Sequence, residues 1–438
     1  SYVPGEAATV PGHEVVARIV AVGEDVQHHR LGERVIVQAD WRFLRTAQSN
    51  AAFGYNFEGG LQEYVLFDEQ VVLEPESRER YLLPVGELGG ASALALVEPW
   101  ACVEHSYVTN ERRTIRPAGT LLVVIEPGCA GGRLDAALWS EGKPNTLTVV
   151  TPEESVSGAC RELNVPVTVV PDIASLADRA FDDIIYFGAR ADTVEALGKN
   201  LANRGLFNIV QCGHRFGRPV SVDVGGVHYG LTRWCGTTGE DASAGYRSIP
   251  DCGEVRDGDV ILVVGAAGPM GQMHVIRCLC CGAESITLVA SDIDTLRLKS
   301  LGARGSSLAD ASGAAFRLMN PREIPSQQKF TYITLMAPVA GLVAQAITRS
   351  DEGGRINIFA GIPMGTCSLL DLDAYIARRL WMFGTSGSTI DDMQLVLKKV
   401  ESGQLDTDYS VGAVAGMAGA IDGIRAVEGR TVAGKIIV

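Results

Sequence analysis

The chain repeats itself. The apolar run Leu121-Leu122-Val123-Val124-Ile125 behind Gly119 returns as Val260-Ile261-Leu262-Val263-Val264 behind Gly258, an offset of 139 residues. Later landmarks return at about 148: Asn208 as Asn357, Asp223 as Asp371, and Gly236-Thr237-Thr238-Gly239 as Gly384-Thr385-Ser386-Gly387. Within each copy, short continuous apolar runs alternate with amphipathic segments. That pattern belongs to parallel strands buried on both faces and the helices that cover them. Two tandem Rossmann-type doubly wound parallel sheets of α/β class are therefore expected, at residues 118–240 and 241–389. A Gly-, Ser- and Pro-rich linker from Gly239 to Gly258 is expected to separate them.

The remaining residues read differently. Val15 to Val22, Glu33 to Val37 and Gly60 to Leu66 carry the alternation of short strands, which suggests a small β-barrel, and helical spacing begins near Ala91. After Gly387, Asp391 to Glu401 and Ala415 to Glu428 read as helices before a closing strand, Gly434 to Val438. This tail is expected to return to the N-terminal unit, so that 1–117 and 390–438 make one domain.

The second copy carries a glycine turn, Gly265-Ala266-Ala267-Gly268-Pro269-Met270-Gly271, between a buried strand and a helix. Gly265 permits the tight turn, Gly268 lets backbone approach a pyrophosphate, and Gly271 lets the helix pack on the strand. Pro269 and Met270 open that helix, whose unpaired N–H groups and dipole favour an anion without any basic side chain. Asp292, 21 residues beyond Gly271, ends the next strand, where a carboxylate accepts hydrogen bonds from ribose hydroxyls. These residues predict a bound nicotinamide dinucleotide and an oxidoreductase. The acid favours NAD, while Arg297 and Lys299 just beyond it leave NADP open as the less favoured cofactor.

At the same offset the first copy has Glu126 for Gly265 and Cys129 for Gly268, and only Gly132 answers Gly271. A carboxylate at that turn repels a pyrophosphate. One nicotinamide per chain is expected, in the second copy. Glu153 stands where Asp292 stands, and the first copy is read as a structural or oligomerising unit, with an effector-ligand site as the alternative.

A formal charge of −14 argues against nucleic acid or an anionic membrane as partner. With no membrane-length apolar run and no secretory layout at the N-terminus, a cytoplasmic protein is expected. The ten cysteines lack the spacing of a disulfide framework. Cys278 and Cys281, though formally C-x-x-C, sit late in an apolar helix and read as buried structural thiols.

Pro11-Gly12-His13-Glu14-Val15-Val16, the barrel strands, Glu98-Pro99 and the glycine turn together resemble the zinc-type medium-chain dehydrogenases/reductases, over almost the whole chain. Ala337-Pro338-Val339, Ile358 to Gly361, Gly384 to Gly387 and Asp391-Asp392-Met393 are most similar to polyol and sugar-phosphate members of the sorbose-1-phosphate reductase kind. The resemblance implies a GroES-like catalytic domain, cofactor contacts at Ala337, Gly361 and Thr385, and one catalytic zinc. His13 matches the histidine ligand, Glu98 the carboxylate ligand of polyol-type members, and Glu14 the neighbouring catalytic carboxylate that can enter the coordination sphere. Such a zinc lowers the pKa of a bound alcohol and eases hydride departure. The family's cysteine ligand lies upstream of the Gly-His-Glu motif, and the eleven residues before Gly12 hold no cysteine. Either it precedes Ser1 or the site dispenses with it. No structural zinc is expected, since 38–58 contains no cysteine. Cys102 is read as a core residue or a substitute sulfur ligand, His105 is left unassigned, and His28 and His29 are read as solvated.

The expected activity is NAD-dependent, zinc-assisted interconversion of a secondary alcohol and a ketone on a polyol, sugar or sugar derivative, in a homo-oligomer. The alternatives are a zinc-independent NADPH reductase of the same superfamily and a nucleotide-binding scaffold without turnover.

Overall fold

The computed structural model describes residues 7–45, 50–67, 72–74, 78–87, 89–129, 132–150 and 163–438. Its first strands are β1 (Val16–Arg18), β2 (Arg34–Val37), β3 (Asp40–Arg45), β4 (Asn50–Ala52) and β5 (Leu82–Pro84). β2 lies between β1 and β5 in an antiparallel sheet, and β3 pairs with β4. Alternation along β2 holds this unit in place. Val35 and Val37 join Phe53, Tyr81 and Leu82 in a local core, while Ile36 between them faces the main core.

Three expectations change here. The run from Val15 to Val22 is a strand only over β1, and Gly60 to Leu66 forms none. Gly60 and Leu61 donate to the carbonyls of Gly12 and Pro11 at 2.8 and 3.0 Å, and beyond them Tyr64 and Leu66 stand exposed. Alternation makes a strand only where a neighbour takes up the backbone groups. His29 is buried rather than solvated, its Nδ1 lying 2.9 Å from Glu33 Oε2.

Helices α1 (Ala91–Ala95) and α2 (Val97–Val108) lead into the first parallel half. It comprises β6 (Thr120–Ile125), β7 (Thr146–Val150), β8 (Val167–Val170), β9 (Phe181–Phe187), α3 (Ala191–Leu197), β10 (Leu201–Val210), β11 (Val220–Asp223), α4 (Val224–Tyr229), β12 (Arg233–Thr237) and α5 (Ala242–Arg247). The second half comprises β13 (Val260–Val264), α6 (Pro269–Cys280), β14 (Thr287–Ser291), α7 (Thr295–Ser312), β15 (Ala315–Met319), β16 (Phe330–Leu335), α8 (Gly341–Arg349), β17 (Ser350–Ile358), β18 (Cys367–Leu370), α9 (Leu372–Ala377) and β19 (Trp381–Phe383). The tail adds α10 (Ile390–Glu401), β20 (Val411–Val414), α11 (Ala420–Glu428) and β21 (Lys435–Ile437).

Both expected parallel sheets are present, and they are continuous. From the middle outward one half runs β12-β10-β9-β6-β7-β8 and the other β19-β17-β16-β13-β14-β15, making one twelve-stranded sheet. The halves meet where β12 pairs antiparallel with β19 at Trp234 and Met382. Beside that joint β11 pairs antiparallel with β18, from Val220 opposite Leu370 to Asp223 opposite Cys367. Equivalent strands meeting antiparallel is the geometry of a two-fold contact, here closed inside one chain. The repeat extends to detail: Asp223 accepts from Gly226 N at 2.9 Å to cap α4, and Asp371 accepts from Ala374 N at 2.8 Å to cap α9.

The central strands are apolar on both faces. Ile261 and Val263 of β13 enter one core cluster and Leu262 the other, as Leu121 and Val123 of β6 do opposite Leu122. The linker is not a free tether. It folds as α5 onto the first half, with Tyr246 and Ile249 buried and the Tyr246 hydroxyl donating to Asp183 at 2.8 Å. The tail packs on α1 and α2: Trp100 Nε1 donates to Ser410 Oγ at 3.3 Å and Thr407 Oγ1 to the Ala93 carbonyl at 2.8 Å.

A polar seam joins α2 to α6. Arg277 reaches Glu104 at 2.9 Å, and the Tyr107 hydroxyl lies 2.8 Å from His274 Nδ1. His274 is fully buried, and desolvation followed by the nearby Arg277 charge depresses its pKa to about 3. The folded chain therefore keeps this ring neutral while the unfolded chain protonates it below pH 6.5, so its contribution to stability is lost as pH falls from 6.5 towards 3. Denaturant titrations of wild type and His274→Gln should show the wild type losing about 2 kcal/mol more between pH 7 and pH 5. Parallel pH profiles would refute this placement of the proton.

Candidate active site

The Gly265–Gly271 turn sits where β13 enters α6. Gly265 has φ +84°, a left-handed conformation that favours glycine. A Cβ on Gly271 would come 2.2 Å from the Gly265 carbonyl oxygen, so packing itself demands glycine. Gly268 is different: a Cβ there would meet only the Gly265 oxygen, at 3.7 Å. What its missing side chain leaves is open backbone. Pro269 begins α6, and no side chain caps that helix end, so the first N–H groups after the proline face outward.

Beside the turn opens a cavity of about 780 Å³. Gly265, Gly268, Pro269, Asp292 and Ala337 line it, together with Arg297, Arg349 and Arg430. Asp292 Oδ2 accepts from Ala267 N and Oδ1 from Asp294 N, both at 2.9 Å, so this acid braces the turn while bordering the cavity. Leu262, Ile333 and Leu335 of the sheet form part of the wall, because residues 320–329 between β15 and β16 make turns rather than a covering helix.

Four predicted residues do not line that cavity. Gly271 packs against the Gly265 carbonyl, Met270 packs against the main core, Gly361 faces Tyr229, and Thr385 is buried with its hydroxyl unpartnered among the described residues. Arg349 and Arg430 escaped the sequence reading, since nothing local ties them to the turn.

His13, Glu14 and Glu98 come together although they are far apart in sequence. One donor atom from each lies within 4.8 Å of the others, and His13 Nε2 is 4.0 Å from Glu98 Oε2. Glu98 opens α2 and is buried. Desolvation, then the neighbouring Glu14 charge, pushes its pKa up to about 8. Desolvation likewise lowers His13, leaving a neutral imidazole able to donate a lone pair. Lys435 of β21 makes a close ion pair with Glu14, a contact across 421 residues with no signal in the sequence. Cys102 Sγ donates to Glu98 Oε1 at 3.7 Å, and burial raises its thiol pKa well above the usual range. The Tyr55 ring stands 5.2 Å from that of His13.

This donor set fits zinc. Two carboxylates and a neutral imidazole converge, the buried Glu98 carboxyl has no Lys or Arg ion pair among the described residues, and such nitrogen and oxygen donors are the ones zinc takes. The glycine turn fits a dinucleotide by its uncovered backbone and adjoining cavity.

His105 is excluded from both places, since its Nδ1 lies 2.9 Å from Asp392 Oδ2 at the capped start of α10. In the first half Glu126, at the position of Gly265, accepts from Thr193 Oγ1 at 2.7 Å and the Tyr186 hydroxyl at 3.2 Å, with Arg190 at 3.5 Å. Glu153 lies outside the described residues.

The fold is thus a GroES-like unit set against a large parallel α/β sheet. Residues 2–76 match the family model described as the alcohol dehydrogenase GroES-like domain. Among curated proteins none matches the chain by sequence. Among solved structures, galactitol-1-phosphate dehydrogenase from Escherichia coli is similar in fold at 11% identity and TM-score 0.51, over 99% of this chain and 85% of that one. An oxidoreductase/dehydrogenase of unknown specificity from Escherichia coli gives 16% and 0.51, over 99% and 84%. 2R,3R-butanediol dehydrogenase from Bacillus subtilis gives 13% and 0.50, over 97% and 83%. Among the described residues no helix is long and apolar enough to cross a membrane.

Proposed function

We propose that the chain is an oxidoreductase that interconverts a secondary alcohol and a ketone on a polyol, sugar or sugar derivative, using NAD(H) and one zinc ion. The observation that carries this reading is the convergence of His13, Glu14 and the buried Glu98 on one point in a chain that also presents an open glycine turn. Residues 1–117 with 390–438 form the catalytic domain, 118–240 the degenerate Rossmann copy and 241–389 the cofactor-binding one. This duplication of a medium-chain dehydrogenase plan is supported by the matching strand orders.

His13 and Glu98 hold the metal through nitrogen and oxygen, and Glu14, steadied by Lys435, stands beside them. When bound, zinc supplies a Lewis acid that favours the alkoxide form of the substrate. Gly268 and the first turn of α6 receive the pyrophosphate, Asp292 the ribose, and Ala337 borders the adenosine side. Gly361 and Thr385 belong to the cofactor side of the cleft. Copies of the chain that associate, as the family resemblance implies, must use surfaces other than β12 and β19, which already pair with each other.

The test is turnover of a polyol panel with NADH or NADPH, before and after chelation and zinc return. Zinc-restored, NADH-preferring activity is expected. Full turnover by metal-free protein removes the zinc part, and NADPH preference would assign Arg297 the 2′-phosphate. Tight NADH binding without turnover on any substrate would sink the enzyme reading.

A further inference from the structure

The tail supplies one wall of the cavity beside the glycine turn. Val427 of α11, then Arg430, Val432 and Gly434, line the same space as Gly265, Gly268 and Pro269. The next residue, Lys435, opens β21 and pairs with Glu14 in the donor cluster. One continuous stretch, 427–435, therefore runs from the cavity to the cluster. The turn itself brings little charge. Pro269 to Gln272, the first turn of α6, hold no charged side chain, so a pyrophosphate there meets backbone N–H groups and a dipole worth about half a charge. Each of its two phosphates carries a negative charge.

Three arginines border the cavity, and the fold tells them apart. Arg349 ends α8 just before Ser350, which pairs with Phe330 at the start of β16. The turn follows Val264, which pairs with Leu335 at the other end of that strand. From Phe330 to Leu335 a strand rises about 17 Å, so Arg349 stands far from the pyrophosphate. Arg297 follows the Asp294 cap at the start of α7, a few residues past the ribose acid Asp292. Arg430 is the one that comes from the tail. It is exposed and makes no ion pair among the described residues. Its backbone is held nonetheless, since the N–H groups of Gly429, Arg430 and Thr431 donate to the carbonyls of Arg425, Val427 and Ala426 at 2.8, 3.1 and 3.0 Å. Its φ is +53°, in the left-handed region. A position that glycine would fill without strain holds an arginine.

We infer that Arg430 is a cofactor-binding residue, supplied by the tail to the coenzyme half, whose guanidinium neutralises the pyrophosphate of the dinucleotide across the cavity from the glycine turn. The bound cofactor thereby bridges the tail and the second parallel half, and its affinity falls with salt. This rests on the dinucleotide reading of the turn.

The experiment titrates NADH, ADP and adenosine into wild type, Arg430→Gln, Arg430→Lys and Arg349→Gln. Loss of one charge-assisted contact should weaken NADH and ADP about tenfold and leave adenosine, which has no phosphate, unchanged. Arg430→Lys keeps the charge and should recover part of the loss. Raising the salt concentration should cost wild type more NADH affinity than it costs Arg430→Gln. Arg349→Gln should bind all three as wild type does, and melting curves of the variants should coincide with that of wild type, because Arg430 is exposed. Wild-type ADP affinity in Arg430→Gln, an equal loss for adenosine, or the same loss in Arg349→Gln would overturn the inference. Should wild type bind neither NADH nor ADP, the dinucleotide reading falls and the inference with it. Binding by wild type that Arg430→Gln leaves unaltered removes Arg430 alone.

Discussion

Gly271→Val should abolish NADH binding. The new Cβ would stand 2.2 Å from the Gly265 carbonyl oxygen and 2.9 Å from Ala266 Cα, both backbone atoms that cannot swing aside as a side chain would. Relief requires α6 to move off β13, which opens the turn and disturbs the buried contacts of Met273 and Ala266 in the main core. Overpacking of this kind costs about 3 kcal/mol, so a fall in melting temperature should accompany the lost affinity. Gly268→Ala separates the two effects. Its Cβ meets only an oxygen at 3.7 Å, so stability should hold while the methyl covers backbone that the pyrophosphate needs, weakening NADH about tenfold or more. Calorimetry with NADH titration checks both, and wild-type affinity in Gly271→Val would refute the assignment of the turn.

Glu98→Gln should lose zinc and, with it, turnover. The amide keeps the shape of the carboxyl at the start of α2 but no longer offers an anion to the point where His13 and Glu14 converge. Withdrawing a Lewis acid that contributes several kcal/mol predicts kcat lower by about a thousandfold. Metal analysis of protein dialysed against zinc should give one ion per wild-type chain and a substoichiometric amount in the variant. Unchanged melting of the two metal-free proteins would show that the loss is of the site and not of the fold. Full zinc occupancy in Glu98→Gln would move the site elsewhere.

Much of this architecture was readable because its causes are local. A continuous apolar strand, a helix opened by Pro269 and a glycine whose missing side chain is a packing requirement all leave marks within a few residues. The Gly12-His13-Glu14 motif and Glu98 were singled out through family likeness, and the fold brings one donor atom each of His13, Glu14 and Glu98 within 4.8 Å of one another. What escaped the sequence is long-range. No residue near Trp234 announces that β12 will pair with β19, nor does Lys435 announce Glu14. Gly60 to Leu66 misled because alternation reports a possible strand, while a strand exists only with a neighbour. Residues 320–329 make turns, which leaves one wall of the cavity beside the glycine turn to bare sheet.

The joint between β12 and β19 has a consequence for how such a protein can change. Where two halves come from separate chains, every mutation appears in both, and dilution can pull them apart. Here the halves are tethered, so their contact holds at any protein concentration and each can vary alone. A carboxylate at Glu126 would ruin a cofactor turn present in duplicate, but in a single chain it touches only one of the pair. Asymmetry of this kind lets the turn of one half change its chemistry while the turn of the other keeps its glycines.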